Sequence, residues 1–152
     1  MYQTHIDKKL ELLAQLPLDD RIVALRQMCQ SYDYVPPIGA NAIYVLASDL
    51  PAEEERKLYV GITNRPSERF RQHHIGVKDF SKSVNLHKSR YLAKHGFNPM
   101  IFGYVMDRED ANKIEKKLIE LLGGWRSQYV TNLTDGGEGT VGRSGSVHGK
   151  SV

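Results

Sequence analysis

Cysteine is almost absent from this chain: Cys29 stands alone among 152 residues. A single thiol can neither close a disulfide within the chain nor build a cysteine-rich zinc centre, so a reducing compartment is expected. Long apolar runs are missing too. No stretch approaches the roughly 18 apolar residues that a membrane span requires, and residues 1–9 carry no signal-peptide pattern. The expectation is a soluble protein of the cytoplasm, with no membrane partner. Acid is scarce in one region only. Residues 56–100 hold 10 basic side chains and 2 acidic ones, against 4 and 9 in residues 1–55 and 7 of each in residues 101–152. The overall charge of +3 therefore hides a positive block, which also contains His73, His74, His87 and His95. A solvated helix face is the plain reading of such a block. A polyanion suits it better, because each phosphate contact releases condensed counterions.

What is present is enough for one modest core, with apolar residues at 40% of the chain. Residues 5–16 and 19–31 show apolar side chains at helical spacing, with Asp19 a candidate cap and Pro17 between them. This predicts a helical hairpin over 1–38, ending in the connector Tyr34-Val35-Pro36-Pro37-Ile38-Gly39. Strands are predicted at 42–48 and 57–63, joined by an acidic turn. A helix follows from Pro66 to His74, then a basic loop over 75–84 and a helix over 85–95 stopped by Gly96. A third strand at 99–107 and a helix at 108–122 complete the order β-β-α-α-β-α, a small α+β domain over 39–139. Residues 140–152 read as a flexible glycine-rich tail.

Several residue types in this frame carry chemistry. On the last helix Glu115 falls inside the apolar arc of Ala111, Ile114, Leu118, Ile119, Leu121 and Leu122. A core-facing carboxylate is costly unless it is paired or bound to a metal, so it either meets an arginine of the 65–71 helix or acts as a ligand. In the second strand Tyr59 and Gly61 point away from the apolar row of Leu58, Val60 and Ile62, while Tyr44 shares its face with Ala42 and Leu46. If the strands pair, both phenols line one surface; packing is the plainer reading of strand tyrosines. Arg69 and His73 lie four apart on one helix face, either as an exposed basic edge or as a phosphate-holding cation and a proton relay. Asn132 is a turn residue or an amide that orients the Glu115 surroundings or a phosphate. Zinc is conceivable from His73, His74, His87 and Asp79, but their spacing fits no zinc pattern.

Taken together, residues 42–139 resemble the GIY-YIG endonuclease superfamily, nearest in flavour to its phage and homing members. Ala42-Ile43-Tyr44 matches the first tripeptide and Tyr59-Val60-Gly61 the second; Arg69, His73, Glu115 and Asn132 follow in the family's order. The run Asn132-Leu133-Thr134-Asp135-Gly136-Gly137-Glu138-Gly139 is similar to the segment that closes the domain. The resemblance implies a central three-stranded, mainly antiparallel sheet flanked by helices. It also implies an endonuclease with Mg²⁺ (Mn²⁺ as a substitute) on Glu115, Tyr44 or Tyr59 as base or water-positioning group, His73 as relay, Arg69 on the transition state and Asn132 in support. Products would carry 5′-phosphate and 3′-hydroxyl ends. DNA is the expected partner, double-stranded before single-stranded, with RNA as a further candidate and a homodimer where both strands are cut. Contacts to it are expected from Arg65, Arg71, His74, Lys78, Lys82, Lys88, Arg90 and Lys94. The alternative is a non-catalytic nucleic-acid-binding module on the same fold. Ala42 departs from the family's glycine, the turn between the strands is long and acidic, and no homing-type DNA-binding module follows Gly139. Target reading would then fall to the 1–38 hairpin, the basic 75–95 segment, a partner or a second copy of the chain.

Overall fold

A computed structural model describes residues 2–32, 37–134 and 136. The first two helices are α1 (Tyr2–Ala14) and α2 (Leu18–Met28). They lead into a two-residue strand β1 (Gln30–Ser31), then β2 (Asn41–Ala47), β3 (Tyr59–Thr63), α3 (Pro66–Lys78), α4 (Leu86–His95), β4 (Asn98–Val105) and α5 (Arg108–Leu121). The strands form one antiparallel sheet in the order β1-β4-β2-β3. The architecture is the expected α+β one with an N-terminal pair of helices, and the sheet has four strands instead of three. Gln30 and Ser31, expected at the end of the second helix, pair with Ile101 and Met100 instead. Two residues are too few to show a period of two, so this edge strand leaves no sequence pattern.

β2 reads as an unbroken apolar run because both faces of the sheet are covered; all seven of its residues are buried. On one face Ile43, Val45 and Ala47 pack with Val60, Phe102, Leu118 and Ile119, and with Ile6, Leu13, Ile22 and Leu25 from α1 and α2. The N-terminal helices therefore share the main core with the α/β unit. On the other face Ala42, Tyr44, Leu46, Tyr59 and Ile101 pack with Phe70 of α3 and Leu92 of α4. A bulge at Ile43/Tyr44 sends Phe102 to the first face and Ile101 to the second.

The predicted basic loop over 75–84 is corrected in part, since α3 runs on to Lys78 and a short 3₁₀ turn (Phe80–Lys82) follows. Gly76 reads locally as a helix breaker. Here a Cβ on it would stand 3.2 Å from the Ser83 Cβ and 3.4 Å from the Ser89 Oγ, so the glycine lets α4 close onto α3. Asn85 then caps α4 by accepting from the Lys88 backbone N–H at 2.9 Å, while its Nδ2 donates to the Thr131 carbonyl at 2.8 Å.

β3 lies at the open edge of the sheet, and the chain after α5 returns to cover it. Leu58 and Val130 form a parallel bridge, with Leu58 N–H donating to the Tyr129 carbonyl (2.9 Å) and Thr131 N–H to the Leu58 carbonyl (3.0 Å). The Asn132 side chain continues the pairing, accepting from Val60 N–H at 2.9 Å and donating to the Val60 carbonyl at 2.8 Å. One carboxamide thus takes the place of a neighbouring strand. Of the closing run only Asn132, Leu133, Thr134 and Gly136 are described; Asp135 and residues 137–152, with the expected tail, lie outside the described residues.

Candidate active site

The elements meet at the β3 edge around a small cavity of about 40 Å³, lined by Tyr59, Arg69, His73, Lys88, Glu115 and Asn132 among others. Tyr44 stands directly behind it. β2 and β3 pair with Tyr44 opposite Gly61, and a Cβ on Gly61 would collide with the Tyr44 ring. The glycine of the second tripeptide is therefore the space that the first tripeptide's phenol occupies. Gly61→Ala is expected to turn that ring off its partner, costing about 1–3 kcal/mol by overpacking. Thermal unfolding together with plasmid nicking checks this, and an alanine variant of native stability and native rate would remove the argument.

The Tyr44 phenol and His73 Nε2 are 2.8 Å apart, and the other ring nitrogen, Nδ1, lies 2.6 Å from Lys88 Nζ. The His73 ring also meets Tyr59, with centroids 5.2 Å apart, and Lys88 Nζ sits 5.4 Å over the Tyr59 ring. Burial pushes the Tyr44 phenol well above the ordinary phenol range, and the neighbouring Tyr59 and Glu115 push the same way. Tyr59 is raised too, chiefly by burial. The Arg69 guanidinium lies against both phenols and opposes these shifts; burial pulls its own pKa down, yet the two phenols hold it above the ordinary value. His73 moves in the opposite direction, far below the usual imidazole value, because it is desolvated and flanked by Lys88 and Arg69. It is neutral at pH 7. Burial and Arg69 together bring Lys88 down to about 7.

The structure therefore gathers Tyr44, Tyr59, Arg69, His73, Glu115 and Asn132 at one place. Asn132 differs from the expectation in detail: its amide oxygen and nitrogen both engage the Val60 backbone, between Tyr59 and Gly61. It holds the strand that presents the phenol. Lys88 departs further. Expected on a nucleic-acid-facing surface, it is 3% exposed and bonded to His73. The signal was in the chain, since Lys88 lies one helical turn before the buried Leu92 and so on the inward face of α4. Asn85, which starts that helix, was also missed, although an asparagine ahead of an apolar-periodic segment is a cap signal.

Of the other expected contacts, Arg65, Arg71, Lys78, Lys82, Arg90 and Lys94 are exposed. Arg65 pairs loosely with Glu68 at 3.5 Å, on a groove it shares with Thr63, Asn64, Arg69 and Gln72. His74 is half-buried and stacks on Phe97 with centroids 4.8 Å apart.

Among the described residues no group of three or more His, Cys, Asp or Glu is placed to hold a metal, which leaves the zinc reading without a cluster. A magnesium-type ion asks for less, because it keeps several waters and takes one or two carboxylates. Glu115 is 5% exposed, lines the cavity, and packs beside Gly136, where a Cβ would crowd the carboxylate group at 3.2 Å. One hard oxygen ligand with space for waters beside it fits such an ion.

The antiparallel sheet and its flanking helices bring the interlocked tyrosines, an arginine, a histidine and a glutamate to one cavity. Residues 40–128, more than half of the chain, match the GIY-YIG catalytic domain, and the chain belongs to that family. GIY-YIG domains are generally endonucleases, so nuclease chemistry and a nucleic-acid substrate follow as the class. No curated protein and no solved structure matches the chain. No helix among the described residues is long and apolar enough to cross a membrane.

Proposed function

We propose that this protein is a divalent-metal-dependent endonuclease that hydrolyses DNA phosphodiester bonds and leaves 5′-phosphate and 3′-hydroxyl ends. The observation that carries the reading is the buried Tyr44–His73 hydrogen bond set beside Arg69 and Glu115 around one cavity. Arg69 donates to the scissile phosphate and offsets the charge that builds on it in the pentavalent transition state. Tyr44 gives its phenolic proton to the neutral His73 and, as phenolate, takes one from the attacking water. Tyr59, which lines the cavity, positions that water or the phosphate. Glu115 would hold Mg²⁺ or Mn²⁺, and such a cation would supply neutralisation of the negative charge that builds on the phosphate and the leaving group.

The exposed Arg65, Arg71, Lys78, Lys82, Arg90 and Lys94 contact the backbone of double-stranded DNA, in a cytoplasmic setting. Cutting of both strands uses a second copy of the chain or two successive nicks. Incubation of supercoiled plasmid with the protein tests the reading: nicked or linear product with Mg²⁺, and none with EDTA. Equal product in EDTA would remove the metal. Binding in a gel shift with no product under Mg²⁺ or Mn²⁺ would replace the enzyme by a non-catalytic nucleic-acid-binding module.

A further inference from the structure

We propose that Lys88 ends the proton relay of this site, acting through His73 without touching the substrate. The inference rests on the hydrolytic role proposed above and names a member of the relay that the family motif does not contain. Its basis is a continuous buried line: the Tyr44 phenol to His73 Nε2 at 2.8 Å, then across the ring from Nδ1 to the Lys88 nitrogen at 2.6 Å. Lys88 is held in that line by the first turn of α4, where Asn85 caps the helix and ties it to the Thr131 carbonyl.

The two ends of the imidazole cannot be set independently. An ammonium only donates, so a charged Lys88 leaves Nδ1 as acceptor and puts the ring proton on Nε2. His73 then donates to Tyr44 and cannot take its proton. A neutral amine accepts from Nδ1–H, which frees the Nε2 lone pair to accept from the Tyr44 hydroxyl. When the phenol ionises, its proton goes to Nε2 while the Nδ1 proton passes to the Lys88 amine. The balance is one phenolate, one neutral imidazole protonated on Nε2, and one ammonium. The alternative end state stops at His73 as an imidazolium. Desolvation and the adjacent Arg69 and Lys88 oppose that charge, which is why His73 sits far below its usual value. The Lys88 amine, brought down to about 7, holds the proton more readily than the ring.

The charged and titratable groups around Lys88 are Arg69 and His73 from α3, Tyr59 from β3, Tyr44 from β2 behind the ring, and Glu115 from α5 across the cavity. Arg69 favours the neutral amine at every accessible pH, since a guanidinium does not titrate there.

The experiment pairs two readouts on the full chain and on Lys88→Arg and Lys88→Met. Arginine keeps a permanent donor on Nδ1; methionine keeps the apolar stem and removes the exchangeable proton. The first readout is ¹⁵N NMR of His73 without metal or DNA, from about pH 6 to pH 9. In the native chain the ring proton is expected to move from Nε2 to Nδ1 as pH rises through the Lys88 value; in Lys88→Arg it stays on Nε2. The same tautomer in both chains across the range would overturn the proposal whether or not the protein is a nuclease. The second readout is single-turnover nicking of plasmid with Mg²⁺ against pH. The native rate should climb as Lys88 loses its proton, and both variants should lose that inflection and about 100-fold in rate on the alkaline side, with DNA affinity unchanged. Lys88→Arg cutting at the native rate with the native profile overturns the relay. An affinity loss in Lys88→Met with its profile intact returns Lys88 to the role of a phosphate contact and overturns it too. Thermal melts of both variants separate these outcomes from misfolding.

Discussion

Glu115→Ala is expected to reduce plasmid cutting by about 10³-fold or more, roughly 4 kcal/mol of transition-state stabilisation, while leaving DNA binding intact or slightly tighter. The sign of the binding change follows from the charges around the cavity. Arg69 and Lys88 line the same cavity as Glu115, so removing the carboxylate makes the site more attractive to a phosphate. The loss of cutting follows from the proposed ligand role, since Glu115 is the carboxylate among the described residues lining the cavity. Glu115→Gln separates ligation from packing. It fills the same volume beside Gly136 and keeps an oxygen, but it carries no charge. Cutting by the glutamine variant at the native rate would remove the metal assignment. Weak cutting by Gln, none by Ala and native melting in both would support it.

Deletion of residues 1–28 is expected to unfold the protein instead of releasing an independent catalytic unit. These residues bury Ile6, Leu13, Ile22 and Leu25 against Ile43, Val45, Phe102 and Leu118. At about 1.5–3 kcal/mol per fully buried aliphatic side chain, the four contribute on the order of 6–12 kcal/mol. That is comparable with the whole stability of a small domain, about 5–15 kcal/mol. Polar ties add to it. Arg21 donates to the Leu121 carbonyl at the end of α5 (2.9 Å), and Lys9 donates to the Phe102 carbonyl (2.7 Å). Arg26 pairs at 2.7 Å with Glu55, whose side chain is fully buried and also accepts from Ser48 and Tyr91. Losing Arg26 would leave that carboxylate without its cation inside the protein. Circular dichroism and a thermal melt of the truncated chain check this, and a cooperative melt near the native midpoint would show that the helices are an appendage.

Much of the site was legible because its residue types are hard to explain otherwise. A glutamate inside the apolar arc of α5 required a polar destination, and a tyrosine alternating with a glycine on β3 pointed off the main core. Those arguments need only the periods of helix and strand. The same periods do not say which element lies opposite. Lys88 looked like one more cation in a basic segment because nothing local reveals that α4 turns that face toward His73. The helix from Pro66 was expected to stop at His74 because nothing local shows that Ser83 and Ser89 close onto its next turn at Gly76. Asn132 looked like a turn or a ligand-orienting amide because its partner, the Val60 backbone, is 72 residues away.

The sequence by itself determined the α+β order, the two tyrosine strands, the positive block and the family-like set from Tyr44 to Asn132. Periodicity and spacing are local properties, and they survive in one dimension. Only the tertiary structure decided that the N-terminal helices belong to the main core, that Asn132 stands in for a strand at the β3 edge, and that Tyr44, His73 and Lys88 form one buried line. Each of these depends on a contact between distant segments, and on the burial that such contacts create. Burial is what neutralises His73 and lowers Lys88, so the protonation chemistry of the site exists only once the chain is folded.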